Sequence, residues 1–232
     1  MKNEKIKGFT TRMLTTPYAK PDPHHALHFP VYDSVAYEFD SAEDIADAFQ
    51  DRKKAHSYSR VTNPTVEYFE EKIRNITGAH AVIAMSSGMA AITSVFMSVL
   101  KPGENILSSS KLFAHTYGLF EDTLSELGIE ARFTNMLDEE EIEHSIDKNT
   151  RAIFFETVTN PQLEIADIGK IKEIATANNI LLIVDSTITP LNVFNSKDLG
   201  VNIEVMSSTK FMSGGATSVG GVVIDNGLTD WG

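Results

Sequence analysis

From Ala81 onward the sequence alternates short β-favouring or apolar runs with helical patterns. The runs are AVIAM from Ala81, NILS from Asn105, ARFT from Ala131, AIFFE from Ala152, LLIVD from Leu181 and IEVMS from Ile203. Helical patterns separate them at 89–100, at 116–127 with Gly128 as the stop, at 138–146 and at 167–177. Alternation of this kind implies βαβ crossovers, and so a parallel sheet whose two faces are both covered. One more run, SVGGVVID from Ser218, follows IEVMS after a link too short for a helical crossover, and is expected to run antiparallel. The expected fold is α/β: a mostly parallel seven-stranded sheet with helices on both faces.

The residues before this alternation read differently. Pro17, Pro21, Pro23 and Pro30 interrupt residues 1–60, and one short helix is signalled where Ser41 and Asp44 precede Ile45, Ala48 and Phe49. Residues 1–60 are therefore expected to form an extended arm, and residues 61–232 the main domain. A helix begins that domain. Asn63 stands as N-cap, Pro64 at the first helical position, Val66, Phe69, Ile73 and Ile76 line one face, and Gly78 is the stop.

Bulk properties narrow the function. A net charge of -12 repels phosphate backbones and anionic lipid surfaces, which argues against nucleic acid and membranes as partners. The absence of cysteine removes disulfides, thiolate zinc sites and a cysteine nucleophile together. The opening MKNEKIKGFTTRML lacks the apolar stretch of a signal peptide, and a cytoplasmic location is expected.

In open α/β sheets ligands bind beyond the carboxyl ends of the strands, and polar residues cluster there. AVIAM is followed by Ser86, Ser87, Gly88 and Met89 at a helix start, where backbone amides could receive an anion or small residues could simply serve packing. AIFFE leads to Thr157, Thr159, Asn160 and Pro161. LLIVD ends on Asp185, followed by Ser186 and Thr187. An aspartate there is costly to bury without a cationic or donor partner, although it could equally cap the next segment. IEVMS ends on Ser207, and Thr209 and Lys210 follow it. A lysine between two strands, if desolvated, loses its proton readily and becomes an amine nucleophile toward carbonyls. Neither a G-x-x-x-x-G-K-[ST] loop nor a G-x-G-x-x-G helix start after the first strand is present.

The motifs SSTK, VDST, TNP and SSGMAA, together with Tyr58-Ser59-Arg60 ahead of Asn63-Pro64-Thr65, occur in one order along the chain. In that order and spacing the sequence resembles the pyridoxal-phosphate enzymes of Cys/Met metabolism, a family that includes O-acetylhomoserine sulfhydrylase, cystathionine γ-synthase, cystathionine lyases and methionine γ-lyase. The resemblance implies an aspartate-aminotransferase-like large domain and pyridoxal 5'-phosphate as cofactor. It implies that Lys210 forms the Schiff base and shuttles protons, and that Asp185 keeps the pyridine nitrogen protonated. Ser87, Gly88, Met89, Ser207 and Thr209 would hold the phosphate, Asn160 the phenolic oxygen, and Phe113 would stack on the ring. Tyr58 and Arg60 would reach the phosphate of a neighbouring subunit, so that a homodimer is the catalytic unit and a tetramer its common assembly. The activity implied is γ-replacement on an O-acylated homoserine by a sulfur nucleophile. Methionine γ-lyase or cystathionine γ-synthase/lyase chemistry is the alternative within the family, and a catalytically incompetent cofactor-binding subunit the alternative outside it.

Two departures stand out. Most relatives have L-Y-G where this chain has Leu112-Phe113-Ala114, and phenylalanine has no hydroxyl for proton transfer. Relatives also continue beyond Trp231 into a C-terminal domain that supplies a substrate-binding arginine, so the chain is expected to be truncated. His24, His25 and His28 offer a weak case for a metal, because the surrounding prolines oppose a helix and few carboxylates are near; no metal is expected. His115, two residues after Phe113, is either a pocket residue or the polar start of a helix.

Overall fold

A computed structural model describes residues 8–16 and 26–231. The chain divides into two compact units, one reaching Ile76 and the other starting at Thr77.

In the first unit α1 (Phe9–Thr15), α2 (Ala42–Phe49) and most of α3 (Pro64–Thr77) are joined by irregular chain. The sequence signals for α2 and α3 act locally as expected. The Ser41 hydroxyl accepts from the Asp44 amide at 3.1 Å, and Asn63 Oδ1 accepts from the Thr65 amide at 2.8 Å. The Asn63 amide group does more than cap, since its Nδ2 donates to Tyr32 O at 3.0 Å and to Ser59 Oγ at 2.9 Å. One buried side chain thereby fixes extended chain on either side of the bridge between Ala36 and Tyr58. Helix α1 is tied to α3 through Arg12 Nη1 on Asn75 O and Tyr68 Oη on Thr16 O, at 3.0 and 3.2 Å. His24 and His25 lie outside the described residues; among those described, no group of three His, Asp or Glu is placed to hold a metal ion.

The second unit is the sheet. Its strands are β1 (Ala81–Met85), β2 (Asn105–Ser109), β3 (Glu130–Thr134), β4 (Thr150–Glu156), β5 (Leu181–Asp185), β6 (Ile203–Met206) and β7 (Gly221–Asp225), in the order β1-β7-β6-β5-β4-β2-β3. Pairings among β2 to β6 are parallel, and β7 runs antiparallel to both β1 and β6. Helices α4 (Gly88–Val99), α5 (Ala114–Gly118), α6 (Glu139–Ser145) and α7 (Ile168–Ala177) supply the cover. The pattern at 116–127 proves to be two pieces: α5 starts earlier, at Ala114, and Leu119–Leu124 is wound as a π-helix that buries Phe120 and Leu124 completely.

Alternation along the strands sorts the core into two clusters. Ala152, Phe154, Ile183, Ile203 and Val205 pack with Ile92, Phe96, Phe120 and Leu124 on one face, where Phe96 meets Phe120 edge-on at 4.9 Å. Ile153, Phe155, Leu182 and Val184 pack with Ile142, Ile171 and Ile174 on the other. Both faces being dry explains why these strands read as continuous apolar runs. Among the described residues no helix is long and apolar enough to cross a membrane.

Strand β7 enters its slot only because it starts with glycine. A Cβ on Gly221 would stand 2.0 Å from the carbonyl oxygen of Ser87, which is backbone and cannot rotate away. Gly221→Ala is expected to cost at least about 2 kcal/mol in urea unfolding, through displacement of β7 from β1.

Candidate active site

The strand register brings the polar strand ends together. Asp185 closes β5 and lies in register with Glu156, which closes β4. Both follow residues of the α4–α5 face, Ile183 and Phe154, and so project toward that side. Beyond β5 the Thr187 amide donates to Asp185 Oδ1 at 2.8 Å, and the Thr187 hydroxyl accepts from the Ser207 amide at 2.8 Å. Ser207 in turn is pressed against the start of α4. A methyl group on Gly88 would meet Ser207 Cβ at 2.8 Å, so glycine permits an approach no other residue allows.

The other half of the arrangement closes through α5. Glu156 accepts from the Phe113 amide through one carboxylate oxygen and from the Asn160 amide, at 3.2 Å, through the other. Phe113 caps α5, with the Thr116 amide on its carbonyl at 2.9 Å, and the Thr116 hydroxyl points to Met89 Sδ at 3.8 Å. Gly88, Ser207, Thr187, Asp185, Glu156, Phe113, Thr116 and Met89 thus form a closed circuit of contacts around the carboxyl ends of β4, β5 and β6. Within it, Ser87 accepts from the Ala90 amide at 3.0 Å as N-cap of α4. The amides of Gly88 and Met89 have no hydrogen-bond partner among the described residues.

Thr209 and Lys210 follow directly after Ser207. The Thr209 hydroxyl is engaged with Gly220, donating to its carbonyl at 3.3 Å and accepting from its amide at 3.1 Å. Lys210 starts a 3-10 turn (Phe211–Ser213) and is exposed; its backbone bonds to Ser207 and Ser213, while its amine has no hydrogen-bond or ion-pair partner among the described residues. This differs from the desolvated lysine anticipated from its place between two strands. Strand β6 ends at Met206, so position 210 belongs to an open turn and not to the packed sheet. Phe113 is 43% exposed and its ring stacks on His115 with centroids 5.2 Å apart. Tyr58 and Arg60 belong to the first unit, where the Arg60 guanidinium stands 5.2 Å from the Tyr58 ring centre.

Three acids on these strands are shifted upward. Burial raises the Asp185 carboxyl above its ordinary range, against the hydrogen bonds from Thr187. Burial pushes Glu156 up to about 7; the neighbouring Asp185 charge adds to the rise, and the Phe113 and Asn160 amides oppose it. Burial also raises Glu204, which faces the opposite side of β6 and is held by the Ser186 hydroxyl. A cleft of about 250 Å³, lined by Lys111, Asn135, Phe155, Glu156 and Glu164 among others, reaches Glu156 from the β2–β3 side. Glu156 and Thr116 were not singled out in the sequence as site residues, and Thr187 stood there only as a polar neighbour of Asp185. Glu156 carried a usable signal, because it closes AIFFE as Asp185 closes LLIVD.

Residues 10–232 match the family described as Cys/Met metabolism PLP-dependent enzyme. The chain belongs to that family. Its members are pyridoxal-phosphate enzymes of sulfur amino-acid metabolism, as the resemblance implied. The chain is 38% identical to the O-acetyl-L-homoserine sulfhydrylase of Corynebacterium glutamicum over 97% of its length and 52% of that protein's. It is 32% identical to the L-methionine gamma-lyase of Pseudomonas putida, over 96% of this chain and 56% of the lyase. Among solved structures, a putative O-acetylhomoserine (thiol)-lyase from Campylobacter jejuni containing N'-pyridoxyl-lysine-5'-monophosphate superposes with a TM-score of 0.89 at 34% identity, covering 95% of this chain and 54% of that one. The chain spans about half the length of the relatives it matches.

Proposed function

We propose that this chain carries the cofactor site of an enzyme that replaces the γ-substituent of an O-acylated homoserine with a sulfur nucleophile, in the manner of an O-acetylhomoserine sulfhydrylase. The observation that carries the proposal is the closed circuit at the carboxyl ends of β4 to β6, in a chain 38% identical to a protein of that name.

The donors in and beside the circuit suit pyridoxal phosphate. Free amides of Gly88 and Met89 at the start of a twelve-residue helix can receive the phosphate, and the Gly88–Ser207 approach forms a cradle that any side chain at 88 would fill. When bound, the cofactor supplies an electron sink for the charge left by proton removal at the substrate α carbon. Asp185 is placed to hold a proton on the ring nitrogen, and that proton offsets the cost of its own burial. Phe113 offers a ring face but no proton, and Asn160 an amide for the phenolic oxygen. Lys210 would hold the cofactor through its amine and would move protons at the α and β carbons of the substrate.

Tyr58 and Arg60 are assigned to the phosphate of a second copy of this chain, which makes a homodimer the smallest complete site and a tetramer the expected assembly. In the domain division that goes with this reading, residues 1–60 are the arm and 61–232 the cofactor-binding domain, and the compartment is the cytoplasm. Methionine γ-lyase chemistry is the second reading, supported by the relative at 32% identity. A third reading is a cofactor-binding partner without turnover.

Incubation with O-acetylhomoserine and sulfide is expected to release homocysteine and acetate. Release of methanethiol, ammonia and 2-oxobutanoate from methionine, with no homocysteine in the first assay, would move the assignment to a lyase. Cofactor binding without either product would leave the inert partner.

A further inference from the structure

Glu156 is only 6% exposed and ends a strand whose buried residues from Ala152 to Phe155 are all apolar. A carboxylate so placed is costly unless it makes specific bonds, and this one makes two of unusual reach. One oxygen takes the amide of Phe113, which follows β2; the other takes the amide of Asn160, which follows β4. The two amides come from separate loops, and the side chains of those residues are the ring face and the amide assigned to the cofactor. Beside it, in register on the next strand, stands Asp185.

We propose that Glu156 is a positioning residue of this site, a single carboxylate that fastens the Phe113 loop and the Asn160 loop to each other in register with Asp185. The inference rests on the cofactor reading for the purpose of the two loops, but not for the fastening itself.

Electrostatics makes the fastening sensitive to its neighbour. Two carboxylates at adjacent strand ends resist ionising together. Burial already pushes Glu156 up to about 7, and Asp185 contributes to that rise. The other ionisable groups around it are Lys111 and Glu164, which share its cleft and pair with each other, while Glu204 faces the opposite side of the sheet. The amide bonds to Phe113 and Asn160 should strengthen as Glu156 ionises, because a charged acceptor holds an amide more strongly than a neutral one.

Amide spectra of the full chain without cofactor test the fastening. The Phe113 and Asn160 amide signals are expected to share one inflection near pH 7. That inflection should vanish in Glu156→Gln and move to lower pH in Asp185→Asn, which removes the like charge. Amide signals that titrate independently, or an inflection that survives Glu156→Gln, would overturn the proposal. Titration with pyridoxal phosphate, followed by absorbance, tests the consequence. Glu156→Gln, checked for an unchanged circular dichroism spectrum, is expected to bind it about tenfold more weakly, and unchanged binding would overturn the positioning role. If the unaltered chain binds no pyridoxal phosphate, the cofactor reading fails, while the amide titration still decides whether Glu156 joins the loops.

Discussion

Replacing Lys210 with alanine should eliminate covalent attachment of pyridoxal phosphate. After borohydride treatment of the loaded protein, the pyridoxyl mass is expected on the peptide containing Lys210 and to be missing in Lys210→Ala. Homocysteine formation from O-acetylhomoserine and sulfide should fall by about a thousandfold or more, because no other group is positioned to take over both attachment and proton transfer. Lys210 heads a short turn, its side chain makes no bond to the described residues and bears on no core cluster, so truncating it should leave stability unchanged. That separation makes the test clean. A pyridoxyl adduct on another lysine, with Lys210 unmodified, would sink the cofactor reading as applied to this chain.

Asp185→Asn should act in opposite directions on turnover and on stability. Asparagine can still accept from the Thr187 amide, but it cannot hold a proton on a pyridine nitrogen by charge. Turnover is expected to drop by roughly a hundredfold or more, with the fold intact. The cofactor-free protein should become more stable at neutral pH. Burial raises the Asp185 carboxyl above its ordinary value of 3.8, so the folded state retains a proton that the unfolded chain releases. Stability contributed by that retained proton is present below about pH 3.8 and is lost as pH rises through the higher folded value. The asparagine variant has nothing to ionise there and should show a flatter melting profile between pH 4 and 8. Unfolding midpoints that fall together for both proteins across that range would contradict the assignment of a desolvated carboxylate.

The sheet could be read from the chain because its strands are short, apolar and separated by helices of ordinary length. AVIAM and LLIVD coincide with β1 and β5 to the residue, and the brief link before SVGGVVID foretold the antiparallel β7. The helix starts at Ser41 and Asn63 were equally plain, since capping is decided by residues within three positions of each other. What escaped depends on long-range placement. Nothing local distinguishes Glu156 from an ordinary strand-end acid; its meaning comes from the amides of Phe113, 43 residues earlier, and Asn160. The exposure of Lys210 escaped for the converse reason. Its neighbours in sequence are strands, yet the intervening chain turns outward, and a local pattern carries no record of which way a loop swings. The π-wound segment at Leu119–Leu124 has the same apolar spacing as an α-helix and cannot be told from one by periodicity.

The place of β7 between β1 and β6 has a consequence for how the molecule is made. Strand β1 hydrogen-bonds to the sheet only through β7, although the partners Met85 and Gly221 lie far apart along the chain. On the ribosome, the strand that leads into Gly88 is therefore synthesised well before β7, and it has no sheet neighbour to join until the chain has been extended through Asp225. Ser207, its neighbour in the finished circuit, also emerges late. The approach of Gly88 to Ser207 thus has to wait for β7, and a nascent polypeptide released before that strand would hold the two sides of this contact on unconnected pieces of backbone.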